Sequence, residues 1–386
     1  MIGDPVALAC LIAASTALAF WLEGRFGWAR SVGAALIAIV LGAALSNLGL
    51  VPSRSPVYDG IFGPVTSLAI AWLLIAVRFG DLREAGPGML VAFAIGVAGT
   101  AIGSVVGTGI LGPILGDEAW KLAGVTTGTY SGGSLNFVAV GRELGLPTSL
   151  FAAATAADNI VTAAWFGATL LIPLWLARER PDRLAGAGPD RLAGASPAPD
   201  TPAGVSGQLQ YSDTLKGTDL TFLVAIGLGL IWLSEALAAA LPAVPKILWL
   251  TTLALLVGQV PAVRRLSGAM LLGSVALHLF FVLMGIGSRV SEIARVGPGV
   301  LYLMAIVVAV HGVVLYGAGR FARLSPDKLS VASQAAIGGP TTAMALASAR
   351  RWPGLILPGM AVGLLGYAVG NYLGFAIAYL TRGLLQ

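Results

Sequence analysis

The sequence predicts an all-α integral membrane protein made of two inverted repeats of five spanning helices. Each repeat is expected to carry one glycine-broken re-entrant or discontinuous helix. Three observations lead there. The 386 residues are 57% hydrophobic and only 11% charged, with mean hydropathy +0.87, whereas soluble domains carry roughly 25% charge. Apolar runs of about 20 residues recur between short charged loops, which is the length a helix needs to cross a bilayer. Two polar, glycine-rich stretches break that pattern, TTGTYSGGSLN at 126–136 and SQAAIGGPTT at 333–342.

In chain order, the first half offers apolar segments at 5–22, 32–50, 61–79, 88–112 and 149–176. The run from Val6 to Leu22 has no basic stretch before it and reads as a first membrane helix, not a cleaved signal. The second half offers 219–241, 246–260, 269–288, 299–317 and 355–380. None alternates polarity as barrel strands do. Trp21, Trp28, Trp120, Trp175 and Trp352 fall near segment ends, as an interfacial belt requires. Cys10 is the single cysteine, so no disulfide framework is expected. The stretch 178–218 contains PDRLAGA twice, at 181–187 and 189–195, and is rich in Pro, Gly, Ala and Asp. It reads as a flexible cytoplasmic linker between a first membrane repeat, 1–177, and a second, 219–386.

The halves align with each other. LLIAVRFGDLREAGPGML at 73–90 matches MGIGSRVSEIARVGPGVL at 284–301, pairing Arg78 with Arg289 and Asp81 with Glu292 at an offset of 289 − 78 = 211. Gly133 pairs with Gly339 at an offset of 206. If each glycine-rich segment dips in and returns, each half spans five times and the repeats are inverted. Sixteen of the 23 basic residues then lie on the linker side and seven on the other. Full crossings would give a split of 13 to 10, nearly without bias. The positive-inside rule favours the inverted arrangement, with the linker in the cytoplasm. The net charge of +5 therefore reports membrane orientation and not nucleic-acid binding.

TGTYSGGSLNFVAVGRELG, followed by FAAATAADNIVTAAWFG, resembles the bacterial membrane family called domain of unknown function 819, over nearly the whole chain apart from the linker. That family is grouped with cation/proton antiporters and bile-acid-type sodium symporters. The resemblance implies two discontinuous helices crossing near the midplane, a mobile core working against a scaffold, and a homodimer. It also likens Asp158-Asn159 to the antiporters' Asn-Asp or Asp-Asp pair, in reversed order, which leaves the coupling ion open.

From the residues themselves, paired glycines flanked by hydroxyls and amides free backbone N–H and C=O groups. In lipid such groups persist only where protein covers them or a wet cavity holds a ligand. Two such breaks in corresponding places point to a transporter's substrate site. The candidate solute-binding residues are Thr129, Tyr130, Ser131, Gly132, Gly133, Ser134 and Asn136 in the first break. In the second they are Gln334, Gly338, Gly339, Thr341 and Thr342. A helix starting near Ser134 and another starting at Pro340, capped by Gly339, would favour an anionic group. Asp158 lies mid-segment with no cation nearby in sequence, and an unpaired carboxylate there costs several kcal/mol. It is the candidate ion-coupling residue, for Na⁺ or H⁺. Asn159, Thr155 and Thr162 are candidate companions, since hard cations prefer oxygen ligands. Hydroxyls at that spacing also commonly bond back to their own helix. His278 and His311 read as structural, and Glu235 as interfacial. No phosphate-binding loop, metal cluster or nucleophile–base pair is present, so no enzyme activity and no further cofactor are expected. The expected function is an ion-coupled secondary transporter of a small anionic or zwitterionic solute, working by alternating access. The alternative is a cation/proton antiporter using Asp158. Lipid and the solute are the expected partners.

Overall fold

A computed structural model describes residues 2–52, 54–178, 216–288 and 290–385. The expected linker lies outside these except for Arg178 and 216–218. Each of the ten apolar segments contains a helix. The first half comprises α1 (Pro5–Arg25), α2 (Gly27–Val32), α3 (Ala34–Asn47), α4 (Pro56–Gly60), α5 (Thr66–Ile75), α6 (Gly86–Leu115), α7 (Ala119–Gly132), α8 (Ser134–Glu143) and α9 (Thr148–Arg178). The second comprises α10 (Gly217–Ala240), α11 (Lys246–Val257), α12 (Pro261–Arg264), α13 (Ala269–Ile286), α14 (Val290–Phe321), α15 (Pro326–Ile337), α16 (Gly339–Ala349) and α17 (Ile356–Leu385). Among the described residues, eight helical stretches are long and apolar enough to span a membrane. The apolar α3 and α11 are shorter, about 21 and 18 Å at 1.5 Å per residue.

Local chemistry sets several boundaries. The Asp4 carboxylate accepts from the Ala7 amide at 2.8 Å and starts α1, with Pro5 in its first turn. The Glu23 carboxylate accepts from the Ala34 amide at 3.1 Å and so caps α3 from a neighbouring helix. Pro87 sits in the first turn of α6. In the second break Pro340 is likewise in the first turn of α16, but the residue preceding that helix is Gly338, one position earlier than the sequence suggests.

The helices form two bundles. One holds α1, α3, α5, α10, α11 and α13; the other holds α6–α9 and α14–α17. Both draw on both halves of the chain. Helices α6 and α14 pack along most of their lengths, as do α7 and α17, and α3 and α13. Between the bundles the main contacts are those of α9 with α3 and α13, and of α8 and α17 with α5 and α11.

Both glycine breaks are hairpins and not kinked crossings. A Cβ on Gly128 would stand 3.2 Å from Val140, and one on Gly124 would stand 3.2 Å from Leu144, so α8 runs back along α7. The Thr342 hydroxyl donates to the Gln334 carbonyl, eight residues earlier, at 2.8 Å, so α16 likewise returns along α15. The reversals need backbone that L-residues avoid: Gly133 has φ +90° and Gly339 φ +82°.

Helix α17 passes both hairpins. Its Gly366, Gly370 and Gly374 face Gly132, Gly128 and Gly124 of α7, two antiparallel rows at a spacing of four. A Cβ on Gly124 would lie 2.7 Å from the Gly374 carbonyl oxygen, and one on Gly370 would lie 3.0 Å from that of Gly128. Small residues let backbones approach this closely in lipid. The second hairpin lies along the other half of α17, where Val331 and Ala343 face Gly359. The hairpins thus enter along α17 from opposite ends, and their tips meet beside Gly363 and Gly366. A Cβ on Gly133 would be 3.9 Å from the Gly338 carbonyl, and one on Gly339 would be 3.8 Å from that of Gly132.

The glycine rows can be tested by adding one methyl group. Gly124→Ala should cost ~1–3 kcal/mol through overpacking and lower the unfolding temperature in detergent. Gly109→Ala, where a Cβ meets nothing within 4 Å, should be neutral or stabilising. Equal unfolding temperatures for the two variants would refute the packing argument.

Candidate functional site

The tips of the two hairpins, α9 and α17 enclose the candidate site. Tyr130 departs from helical geometry, with φ −87° and ψ 16°, three residues before the reversal at Gly133. That kink frees its carbonyl, which accepts from the Thr100 hydroxyl of α6 at 3.0 Å. Its own hydroxyl is buried and faces the Asp158 carboxylate of α9 without a well-formed hydrogen bond to it. Asp158 is half-buried and accepts from the Thr162 hydroxyl, one turn on, at 3.0 Å. The Asn159 amide nitrogen donates to the Thr155 carbonyl at 2.8 Å. Its oxygen faces Gly33, where α2 gives way to α3 at φ +83°. A third chain break therefore lies beside the candidate ion residues.

Four buried polar atoms at the hairpins have no protein partner among the described residues: Tyr130 Oη, Ser131 Oγ, Asn136 Oδ1 and Gln334 Oε1. The orientation of both amides follows from their other bonds. Asn136 Nδ2 donates to the Gly366 carbonyl at 2.9 Å, and a carbonyl can only accept. Gln334 Nε2 donates at 2.9 Å to the Thr169 hydroxyl, whose proton goes to the Phe166 carbonyl. The two unpartnered amide atoms are therefore acceptors. Burying such atoms without a partner costs about 1–3 kcal/mol each, so the tips suit a cation or an N–H or O–H donor.

The predicted residues separate into two groups. Tyr130, Ser131, Gly132, Gly133, Asn136, Gln334, Gly338 and Gly339 lie at or beside the meeting tips. Ser134 is exposed, and Gly338 and Thr341 are partly exposed, so the tip region is open along one side. Thr129, Thr155 and Thr342 give their hydroxyl protons to the chain itself and leave only lone pairs for a ligand. Their hydroxyls donate to the Val125, Phe151 and Gln334 carbonyls. In a helix or tight hairpin the nearest free carbonyl outcompetes a distant ligand for that proton.

Two further residues belong to the site. Tyr367 of α17 lies against both Gly133 and Gly339, where its hydroxyl would be 3.4 Å from a Cβ on Gly339. His311 contacts Thr100 at 3.0 Å through Nδ1 and Ser333 at 2.9 Å through Nε2. Its structural reading from sequence was incomplete. The repeat offset held the missing signal, because 311 − 100 = 211 makes His311 the counterpart of Thr100. Two other bonds are related within one residue of that offset: Asn47 Nδ2 donates to the Ser288 carbonyl at 3.2 Å and Gln259 Nε2 to the Val77 carbonyl at 3.0 Å, with acceptors 288 − 77 = 211 apart and donors 259 − 47 = 212 apart. His278 bonds the Ser274 carbonyl of its own helix and packs against the tilted ring of Phe20, as a structural residue does. Glu235 pairs with Lys246 at the surface.

Comparison with known proteins agrees with the membrane architecture. The family model described as a protein of unknown function, DUF819, matches residues 10–384. The uncharacterized membrane protein YjcL of Bacillus subtilis (strain 168) is 30% identical over 382 residues, covering 94% of this chain and 93% of the relative. With eight membrane-capable helices and a match along almost its entire length, this multi-pass membrane protein belongs to the DUF819 family.

Proposed function

We propose that the protein is a secondary transporter of two inverted repeats in the bacterial inner membrane, moving a small solute by alternating access with Na⁺ or H⁺ as coupling ion. The observation that carries this reading is the meeting of two oppositely inserted hairpin tips, with four buried polar atoms lacking protein partners, beside a half-buried carboxylate on α9. Discontinuous helices converging on one point are how transporters hold ligands within lipid. Asp158, Asn159 and the Tyr130 hydroxyl would form the cation site. The solute would bind where Ser134, Gly338 and Thr341 are accessible. A zwitterion suits this place, since the free amide oxygens take its ammonium group and the start of α8 or α16 its carboxylate.

The connections between the bundles support alternating access. Among the described residues, five side-chain hydrogen bonds join them, three where α8 ends and α9 begins and two midway along α11 and α17. Arg142 donates to Ser67 at 2.9 Å, Thr148 to the Gly287 carbonyl at 2.8 Å, and Ser288 to the Thr148 carbonyl at 3.1 Å. Asn371 donates to Thr251 at 2.9 Å, and Thr252 and Tyr372 share a bond of 2.7 Å. From the Thr252–Tyr372 bond toward the linker end, a crevice of about 330 Å³ opens between α11 and α17, its apolar lining including Phe79, Leu255, Leu256 and Leu365. The linker end carries most of the basic residues, so this conformation is read as closed outside and open inside.

Asp158 can be tested without knowing the solute. Na⁺ should raise the unfolding temperature relative to K⁺ at equal ionic strength, the added stability being ~2.7 kcal/mol at a hundredfold excess over Kd. Asp158→Asn should abolish that increment while the protein stays folded. A wild type blind to Na⁺ and to pH would remove the ion-coupling reading. In proteoliposomes, a pH change on adding Na⁺ alone would favour the antiporter, whereas uptake that needs the solute would favour symport.

The ties between the bundles make a separate prediction. In a Cys10→Ala background, Ser134→Cys should react with an impermeant thiol reagent from the linker side. Adding Arg142→Ala should raise labelling from the opposite side severalfold. No change would mean that Arg142 does not hold that end closed.

A further inference from the structure

Four hydrogen bonds connect five groups on five helices: Trp165 Nε1 to Ser333 Oγ at 2.8 Å, Ser333 Oγ to His311 Nε2 at 2.9 Å, His311 Nδ1 to Thr100 Oγ1 at 3.0 Å, and Thr100 Oγ1 to the Tyr130 carbonyl at 3.0 Å. The two ends of this chain set its direction. An indole N–H can only donate, so Ser333 Oγ accepts from Trp165. A carbonyl can only accept, so the one proton of Thr100 goes to Tyr130. Thr100 Oγ1 then has only lone pairs to offer His311, and Nδ1 must carry a proton. The remaining proton in the chain, that of Ser333, points at Nε2, which must present a lone pair. Every donor and acceptor is matched only when His311 is neutral and protonated at Nδ1.

The groups facing the imidazole from the other helices are neutral: Gly96, Gly99 and Thr100 of α6, Trp165 of α9 and Ser333 of α15. The Gly96 backbone beside the ring is the one acceptor that could serve an imidazolium instead. Such a ring would direct two donors at Ser333 and leave that hydroxyl's own proton without its acceptor.

The chain closes on the candidate cation site. Trp165 lies seven residues beyond Asp158 on α9, two turns along the same face. At the other end, Tyr130 takes the last bond at its carbonyl and directs its phenol at Asp158. Ser333 lies on the first arm of the second hairpin, six residues before the Gly339 reversal. We infer that His311 is a positioning residue: as the Nδ1–H tautomer it joins this one-way chain, holds the kink that turns Tyr130 toward Asp158, and ties the state of Asp158 to the second hairpin. The tautomer follows from the hydrogen bonds alone, whereas the functional consequence rests on reading Asp158 as the cation site.

Nitrogen-15 NMR of histidine-labelled protein in nanodiscs tests it. The chain has two histidines, so the signal lost in His311→Asn assigns His311. At neutral pH it should show a proton on Nδ1 and a lone pair on Nε2. A proton on Nε2, or on both nitrogens, would overturn the inference. Asp158→Asn should shift the His311 signals although the two side chains share no bond, and unmoved signals would also overturn it. Na⁺ affinity, read by thermal shift with K⁺ as control, should fall on the order of tenfold in His311→Leu, as expected for one lost hydrogen bond. His311→Asn, which keeps a donor near Thr100, should recover part of that loss. If Na⁺ stabilises the wild type but His311→Leu binds it equally well, the positioning role fails and the cation site stands. If Na⁺ has no effect on the wild type while the Nδ1–H tautomer and the Asp158→Asn shift are found, the cation reading fails and the chain stands.

Discussion

A helix that stops inside a bilayer exposes peptide groups that lipid cannot satisfy, and this protein stops two of them at one place. Helix α17 resolves the cost. Its glycine row lets the backbone lie against the first hairpin so closely that side chains are excluded, and the Gly366 carbonyl there receives the Asn136 amide. Farther back, Gly359 and Gly363 do the same for the second hairpin. The position of the tips, the exposure of Ser134 and the aim of Tyr130 all depend on that close approach. Bulkier residues along α17 would push both tips away and separate the groups that make the site.

The two bundles are packed tightly within themselves and sparsely against each other. Within each, long helices pack along their whole lengths. Between them, a few crossings carry the contact, with polar bonds where α8 meets α9 and midway along α17. Hydrogen bonds of this kind contribute about 0.5–1.5 kcal/mol each, enough together to bias a conformation and few enough to exchange during a cycle. The His311 chain lies wholly within the second bundle. It would travel with the site and keep both hairpins in register with α9 as that bundle moves.

Much of the site was legible because membrane segments punish polarity. Asp158, Tyr130, Asn136, Gln334 and the glycine pairs stand out against an apolar background, and each now lies at the tips or on α9 facing them. The hydroxyls of Thr129, Thr155 and Thr342 stood out equally but bond to nearby carbonyls. Sequence spacing does not distinguish a hydroxyl turned toward a cavity from one turned back on its helix. His311 was visible as a residue, whereas its role required the four helices around it. The glycine row at 124, 128 and 132 and its partner at 366, 370 and 374 were both readable at a spacing of four. That they face one another was not.

By itself the sequence determined the membrane class, the ten apolar segments and the positions of both breaks, because hydropathy, helix length and the backbone freedom of glycine act locally. Only the tertiary structure decided that the breaks are hairpins, that α17 draws them together, and that Tyr130 faces Asp158. Those outcomes depend on which helix faces approach one another. That choice is made by packing between residues hundreds of positions apart, which no local pattern encodes.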